Sequence, residues 1–123
     1  MIGFFVFMLT CSLLIPAVML FFGYRWKEKP PKEINVAFGY RTRRSMSGKK
    51  AWNYAHQYFG KLWIKLGWFT LAVTVLIMIA LALTTMEIAV VGTVGGILVF
   101  LQMIPLIVPI FATERALKQE FGI

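Results

Sequence analysis

The chain has 123 residues, 59% of them hydrophobic, and a formal net charge of +8 from 13 Lys and Arg against five Asp and Glu. With one Cys and one His there is no material for a metal centre, an intrachain disulfide or an activated nucleophile, so neither a metal, a cofactor nor an enzymatic role is expected. The apolar residues form three continuous uncharged runs, 1–24, 66–86 and 88–113, which excludes a soluble domain whose helices each carry a polar face.

Each run has about the 20 residues that a helix needs to cross ~30 Å of hydrocarbon. The expectation is an all-α membrane protein, a single membrane domain over 1–123 with spans near 2–24, 62–85 and 88–112 and a basic loop over 25–61. The first run has no Lys or Arg before Arg25 and ends Phe21-Phe22-Gly23-Tyr24-Arg25. A signal peptide has its charge at the other end, so this run reads as a permanent anchor. Cys11 inside it reads as a small packing residue, and Pro16 as a kink.

The loop leaves the first span through Lys29-Pro30-Pro31-Lys32, a stiff extended exit, and turns irregular around Asn35 and Gly39. Ser47 is expected to cap a helix that starts at Gly48. From there Trp52, Tyr54, Ala55, Tyr58, Phe59, Leu62, Trp63 and Leu66 recur at helical spacing, and no Pro interrupts the chain between Pro31 and Pro105. The second helix is therefore expected to begin well before the membrane and run through it, with Trp63 and Trp68 at the interface. The alternative is a break near Gly60, with residues 48–59 lying along the headgroups.

The third run contains Pro105, Pro109 and a small-residue spacing at Gly92 and Gly96 that suits close helix packing, within the chain or in a homo-oligomer. Gln102 in its middle is expected to face another helix, since a lone amide in lipid is costly.

Charge sets the expected orientation. Residues 25–61 hold ten Lys and Arg against Glu28 and Glu33, and Arg115 and Lys118 follow the third run, whereas the short 84–87 turn holds only Glu87. The positive-inside rule puts the loop and C-terminus in the cytoplasm and the N-terminus outside. A basic juxtamembrane loop also suits anionic headgroups, at ~1 kcal/mol per residue near the surface. Nucleic acid is not an expected partner, because no groove-reading or base-stacking module accompanies the charge.

Trp52, His56 and Phe59 share one helix face, and Arg41, Arg43 and Arg44 precede it. One reading is an interfacial helix with bases against phosphates. The other is a preorganised site in which Arg41 offers a planar fork to an anion or carboxylate. The spaced residues Asn35, Gly39, Arg41, Thr42, Ser45, Met46, Ser47, Trp52, Ala55, His56 and Gly60 closely resemble the signature segment of the SdpI family of small bacterial membrane proteins. That signature comprises Asn, Gly-x-Arg-Thr, a Ser/Thr-Leu/Met-Ser helix start, Trp, His or Asn, and a later Gly entering a transmembrane helix. The chain departs from it at Lys49 and Lys50, where the family often has an acid, so no capping box forms.

The resemblance implies a relative of the immunity proteins that protect a producing cell from its own secreted peptide toxin. In the namesake system the immunity protein also signals, holding a repressor at the membrane. It implies a binding segment made of Asn35, Gly39, Arg41, Thr42, Ser45, Ser47, Trp52, His56 and Gly60, with a hydrophobic toxin peptide and a cytoplasmic regulator as partners. The alternative is a structural accessory subunit of a larger membrane complex. A small-drug exporter fits less well, because Glu87 lies in a turn and no carboxylate lies inside a span.

Overall fold

The computed structural model describes residues 2–32, 34 and 39–122. Helix α1 covers Ile2–Glu28, a 3-10 turn covers Ser45–Ser47, α2 covers Lys49–Thr84 and α3 covers Ile88–Phe121. All three helices are long and apolar enough to cross a membrane. Only 17% to 28% of each apolar window is buried, so most side chains there face outward, Phe7, Phe69, Leu76, Phe100 and Phe111 among them. That is the pattern of a bundle solvated by lipid rather than water.

At 36 residues α2 rises ~54 Å, well beyond the ~30 Å of a hydrocarbon core. Its charges, Lys49, Lys50, Lys61 and Lys65, all lie in its first half, so the uncharged 66–84 stretch takes the hydrocarbon. Residues 49–61 therefore form an overhang at the basic end. The helix passes Gly60 without a break. Its start differs from the sequence reading. Ser47 is not the cap: its hydroxyl donates to the Arg44 carbonyl at 2.7 Å, and the extended Gly48 precedes Lys49 with no side-chain cap bond. The turn Ser45–Ser47 consumes the hydroxyl that a cap would need.

Helices α1 and α2 touch backbone to backbone. A Cβ on Gly60 would lie 2.8 Å from the Gly23 carbonyl oxygen, and one on Gly23 would lie 3.0 Å from that of Gly60. On α3 the close-packed glycine is Gly95, where a Cβ would come 2.5 Å from the Met8 methyl carbon. Gly92 rests near the Phe4 ring. Gly96 meets nothing within 4 Å inside the chain and is exposed, so of its two readings packing within the chain does not apply. One residue along a helix turns the position by about 100°, enough to exchange contact for lipid.

The three helices meet at one polar point in the apolar zone. Pro16 has no N–H, which leaves the Ser12 carbonyl of α1 without its helical donor. The Gln102 side-chain amide of α3, 2% exposed, donates to that carbonyl at 2.9 Å and to the Thr74 hydroxyl of α2 at 2.8 Å.

The Gly23–Gly60 contact yields a direct test. Gly60→Val should destabilise the bundle by roughly 1–3 kcal/mol, because the atom met is backbone and cannot step aside. Gly96→Val should stay within about 0.5 kcal/mol of wild type. Thermal unfolding of the two variants in one detergent separates them.

Candidate functional site

The overhang of α2 carries Trp52, His56 and Phe59 on one face, and the segment from Gly39 to Ser47 folds against it. His56 is fully buried. Its Nε2 accepts the Tyr40 backbone N–H at 2.8 Å, so Nδ1 carries the proton and donates to the Trp52 carbonyl at 2.8 Å. The ring is enclosed by the edge of Trp26, centroids 5.0 Å apart, and by Trp52 at 4.3 Å. Burial pushes its basicity down, with Lys49 adding to the effect and the bond to the Trp52 carbonyl opposing it. His56 lies on the overhang, outside the membrane-spanning stretch.

Gly39 is required by this geometry. Its φ is +107°, and a Cβ there would lie 2.7 Å from His56 Nε2. The segment thus approaches the imidazole as closely as a backbone can. Upstream, the Trp52 indole N–H donates to the Pro31 carbonyl at 2.8 Å, which ties down the extended exit from α1.

Ser45, fully buried, closes the next turn. Its oxygen accepts the Thr42 N–H at 2.8 Å and lies 2.9 Å from the Tyr40 carbonyl, while its own N–H donates to the Thr42 hydroxyl at 3.1 Å. The far side of the turn is fixed by Glu114 of α3. One carboxylate oxygen accepts the Tyr40 hydroxyl at 2.6 Å and the Thr42 hydroxyl at 2.7 Å, and the other pairs with Arg44 Nη1 at 3.3 Å. Burial, and then the hydrogen bond to Glu114, hold the Tyr40 phenol well above its ordinary value, so it stays a donor.

The structure therefore brings Gly39, Thr42, Ser45, Trp52 and His56 into one enclosed network, with Gly60 one helical turn further along against α1. Trp52, His56 and Ser45 are fully buried, so in this conformation they position the segment and cannot touch a partner. Arg41 and Arg43 are exposed, as are Ser47, Lys49 and Lys50. Asn35 lies outside the described residues. The network also uses Tyr40, Glu114 and Trp26, which the sequence reading did not pick out, and Pro31, expected only as part of the extended exit from the first span. Glu114 had one signal: it is the first charge after the uncharged 88–113 run, and an acid, where the chain re-enters a predominantly basic end.

A family model described as the SdpI/YfhL protein family matches residues 32–113. Over 50 residues the chain is 48% identical to a Bacillus subtilis (strain 168) protein named as uncharacterized protein YfhL. That match covers 41% of this chain and 46% of the relative, so it spans about half the length of the protein it resembles. No solved structure matches.

A neutral His56 gives the network a pH dependence. With its folded value below the ordinary ~6.5, the stability it adds is complete above that value and is lost as pH falls through the lowered one. The melting temperature in detergent should fall as the pH is taken below about 6.5, and His56→Gln, which has no proton to take up, should flatten that acid limb.

Proposed function

The chain belongs to the SdpI/YfhL family, and from that premise we infer a multi-pass protein of the bacterial cell membrane that protects against, or senses, a secreted antimicrobial peptide. The observation that carries the reading is the segment itself. His56, Ser45 and Glu114 fold residues 39–47 into a fixed shape that presents Arg41 at the basic end. A tether would not need a buried imidazole, a left-handed glycine and a shared carboxylate. A preorganised surface loses little freedom on binding, which favours recognition over simple charge attraction.

In this reading the N-terminus and the 85–87 turn face outward, and the basic end is cytoplasmic, as the placement of Lys and Arg supports. The toxin would be met from the outer side, and a cytoplasmic regulator would dock at the folded segment through Arg41. The guanidinium would grip a carboxylate or phosphate in a planar two-point contact.

Orientation is checked by thiol labelling in intact cells. In a Cys11→Ser background, Ile2→Cys and Thr85→Cys should react with an impermeant reagent and Ser47→Cys should not. Reaction at position 47 without permeabilisation would reverse the orientation.

The role of Arg41 is checked by charge-preserving substitution. Arg41→Lys should impair survival under peptide challenge, or co-purification of the native partner, at normal membrane abundance. Lys27→Gln and Lys29→Gln should behave as wild type. If Arg41→Lys matches wild type in both assays, the segment contributes charge alone. Co-purification with a larger complex and no effect on survival would instead identify an accessory subunit.

A further inference from the structure

Between α1 and α3, beneath the folded segment, lies an open crevice of about 520 Å³. That volume falls within the ~300–1,000 Å³ of small-molecule sites. Val18 and Trp26 of α1 form one wall, Ile107 of α3 the other, and Trp63 of α2 the floor, while Tyr40 and Arg41 sit at the mouth. Val18 and Ile107 lie in the uncharged runs, Trp26 and Trp63 at the interface beside Arg25 and Lys61, and the mouth at the basic end, so the crevice crosses from hydrocarbon depth to headgroup depth. We propose that it holds one anionic phospholipid, with an acyl chain against Trp63 and Ile107 and its phosphate at Arg41.

Three observations select this ligand. The first is polarity. The Tyr40 and Thr42 hydroxyls at the mouth already donate to Glu114, and the Trp63 indole N–H donates to the Leu106 carbonyl at 3.3 Å. The walls thus offer an entering molecule apolar surface and few hydrogen-bond partners. An acyl chain needs none, whereas a peptide strand would leave its amides unsatisfied there.

The second is rigidity. Trp26 and Trp63 stack at 5.8 Å, and the bonds through His56, Ser45 and Glu114 hold the mouth in place. The site exists before the ligand arrives.

The third is charge. Glu114, which the Tyr40 and Thr42 hydroxyls reach from the mouth, is paired with Arg44 at 3.3 Å, so its charge is offset. Arg41 lies at the mouth, and Arg43 and Arg115 are exposed at the same end, so three guanidinium groups gather there. A guanidinium also offers a phosphate oxygen pair a matching planar fork.

The test is native mass spectrometry of the full chain released from detergent, with phosphatidylglycerol, phosphatidylcholine, glycerol phosphate and an uncharged apolar helical peptide as probes. Wild type should retain one phosphatidylglycerol per chain, about fivefold more than phosphatidylcholine, the preference that one basic residue at the surface confers. Arg41→Gln should retain the two lipids equally. Ile107→Trp, a change at a half-exposed position, should retain neither while its helical circular dichroism stays that of wild type. Lys27→Gln should behave as wild type.

Equal retention of both lipids by wild type would overturn the proposal. So would a loss in Lys27→Gln as large as in Arg41→Gln, which would mean diffuse charge attraction. Displacement of the lipid by an equal concentration of glycerol phosphate would reduce the site to an anion contact. Retention of the apolar peptide in its place would make the crevice a helix-docking groove.

Discussion

The basic end of this protein depends on an imidazole that must remain neutral. His56 has a backbone donor on one nitrogen and a backbone acceptor on the other, and only the Nδ1–H form of the uncharged ring serves both. A second proton would confront the Tyr40 amide with another donor inside a shell of Trp26 and Trp52. The same contact dictates Gly39, because a single added carbon would lie 2.7 Å from the ring nitrogen. Once the Tyr40 amide is pinned, its phenol reaches Glu114, and the turn at Thr42 and Ser45 follows from that. One ring thus connects α2, the loop and the end of α3. Leaving the Tyr40 N–H unpaired in that interior would cost about 1–3 kcal/mol, whereas the Trp52 carbonyl keeps its helical donor.

The apolar zone uses the same economy of polar atoms. Pro16 exposes one carbonyl, and Gln102 reaches from a different helix to satisfy it while also bonding Thr74. A proline that would otherwise leave a polar orphan in lipid becomes the place where three helices register against one another. The bundle is therefore tied by directional bonds at its middle and at its basic end. Between them α1 and α2 approach through Gly23 and Gly60, and at the opposite end Phe4 and Met8 rest against Gly92 and Gly95 by dispersion alone.

The spans were legible in the sequence because lipid imposes a crude rule: long, uncharged and continuous. The overhang of α2 was legible from its aromatic spacing and the lack of proline. Contacts that depend on helix phase or on distant chain segments were not. Gly92, Gly95 and Gly96 all have helical spacings, and only the rotation of α3 against Met8 selects Gly95. Ser45 and Ser47 offer equivalent hydroxyls on paper, but the 3-10 turn buries the first and spends the second on the Arg44 carbonyl. Tyr40 and Glu114 are 74 positions apart, so no local pattern joins them.

Most of the described signature residues turn inward, and this changes what a family resemblance over residues 35–60 can transmit. Trp52, His56 and Ser45 are fully buried and give the segment its shape; what meets the surroundings is Arg41, Arg43, Lys49 and Lys50. The departure at Lys49 and Lys50 shows how far the two roles separate. Cations in the first turn of a helix oppose its dipole by roughly 0.3–1 kcal/mol each, and Gly48 supplies no side-chain cap. The start of α2 therefore has neither charge nor cap in its favour, and it is held by the packing of Ala51, Trp52 and Ala55, all at least 96% enclosed. Because packing carries the helix start, the charge there is free to vary without unfolding the segment. Of the exposed cations at the basic end, the signature specifies Arg41 and leaves Arg43, Lys49 and Lys50 open.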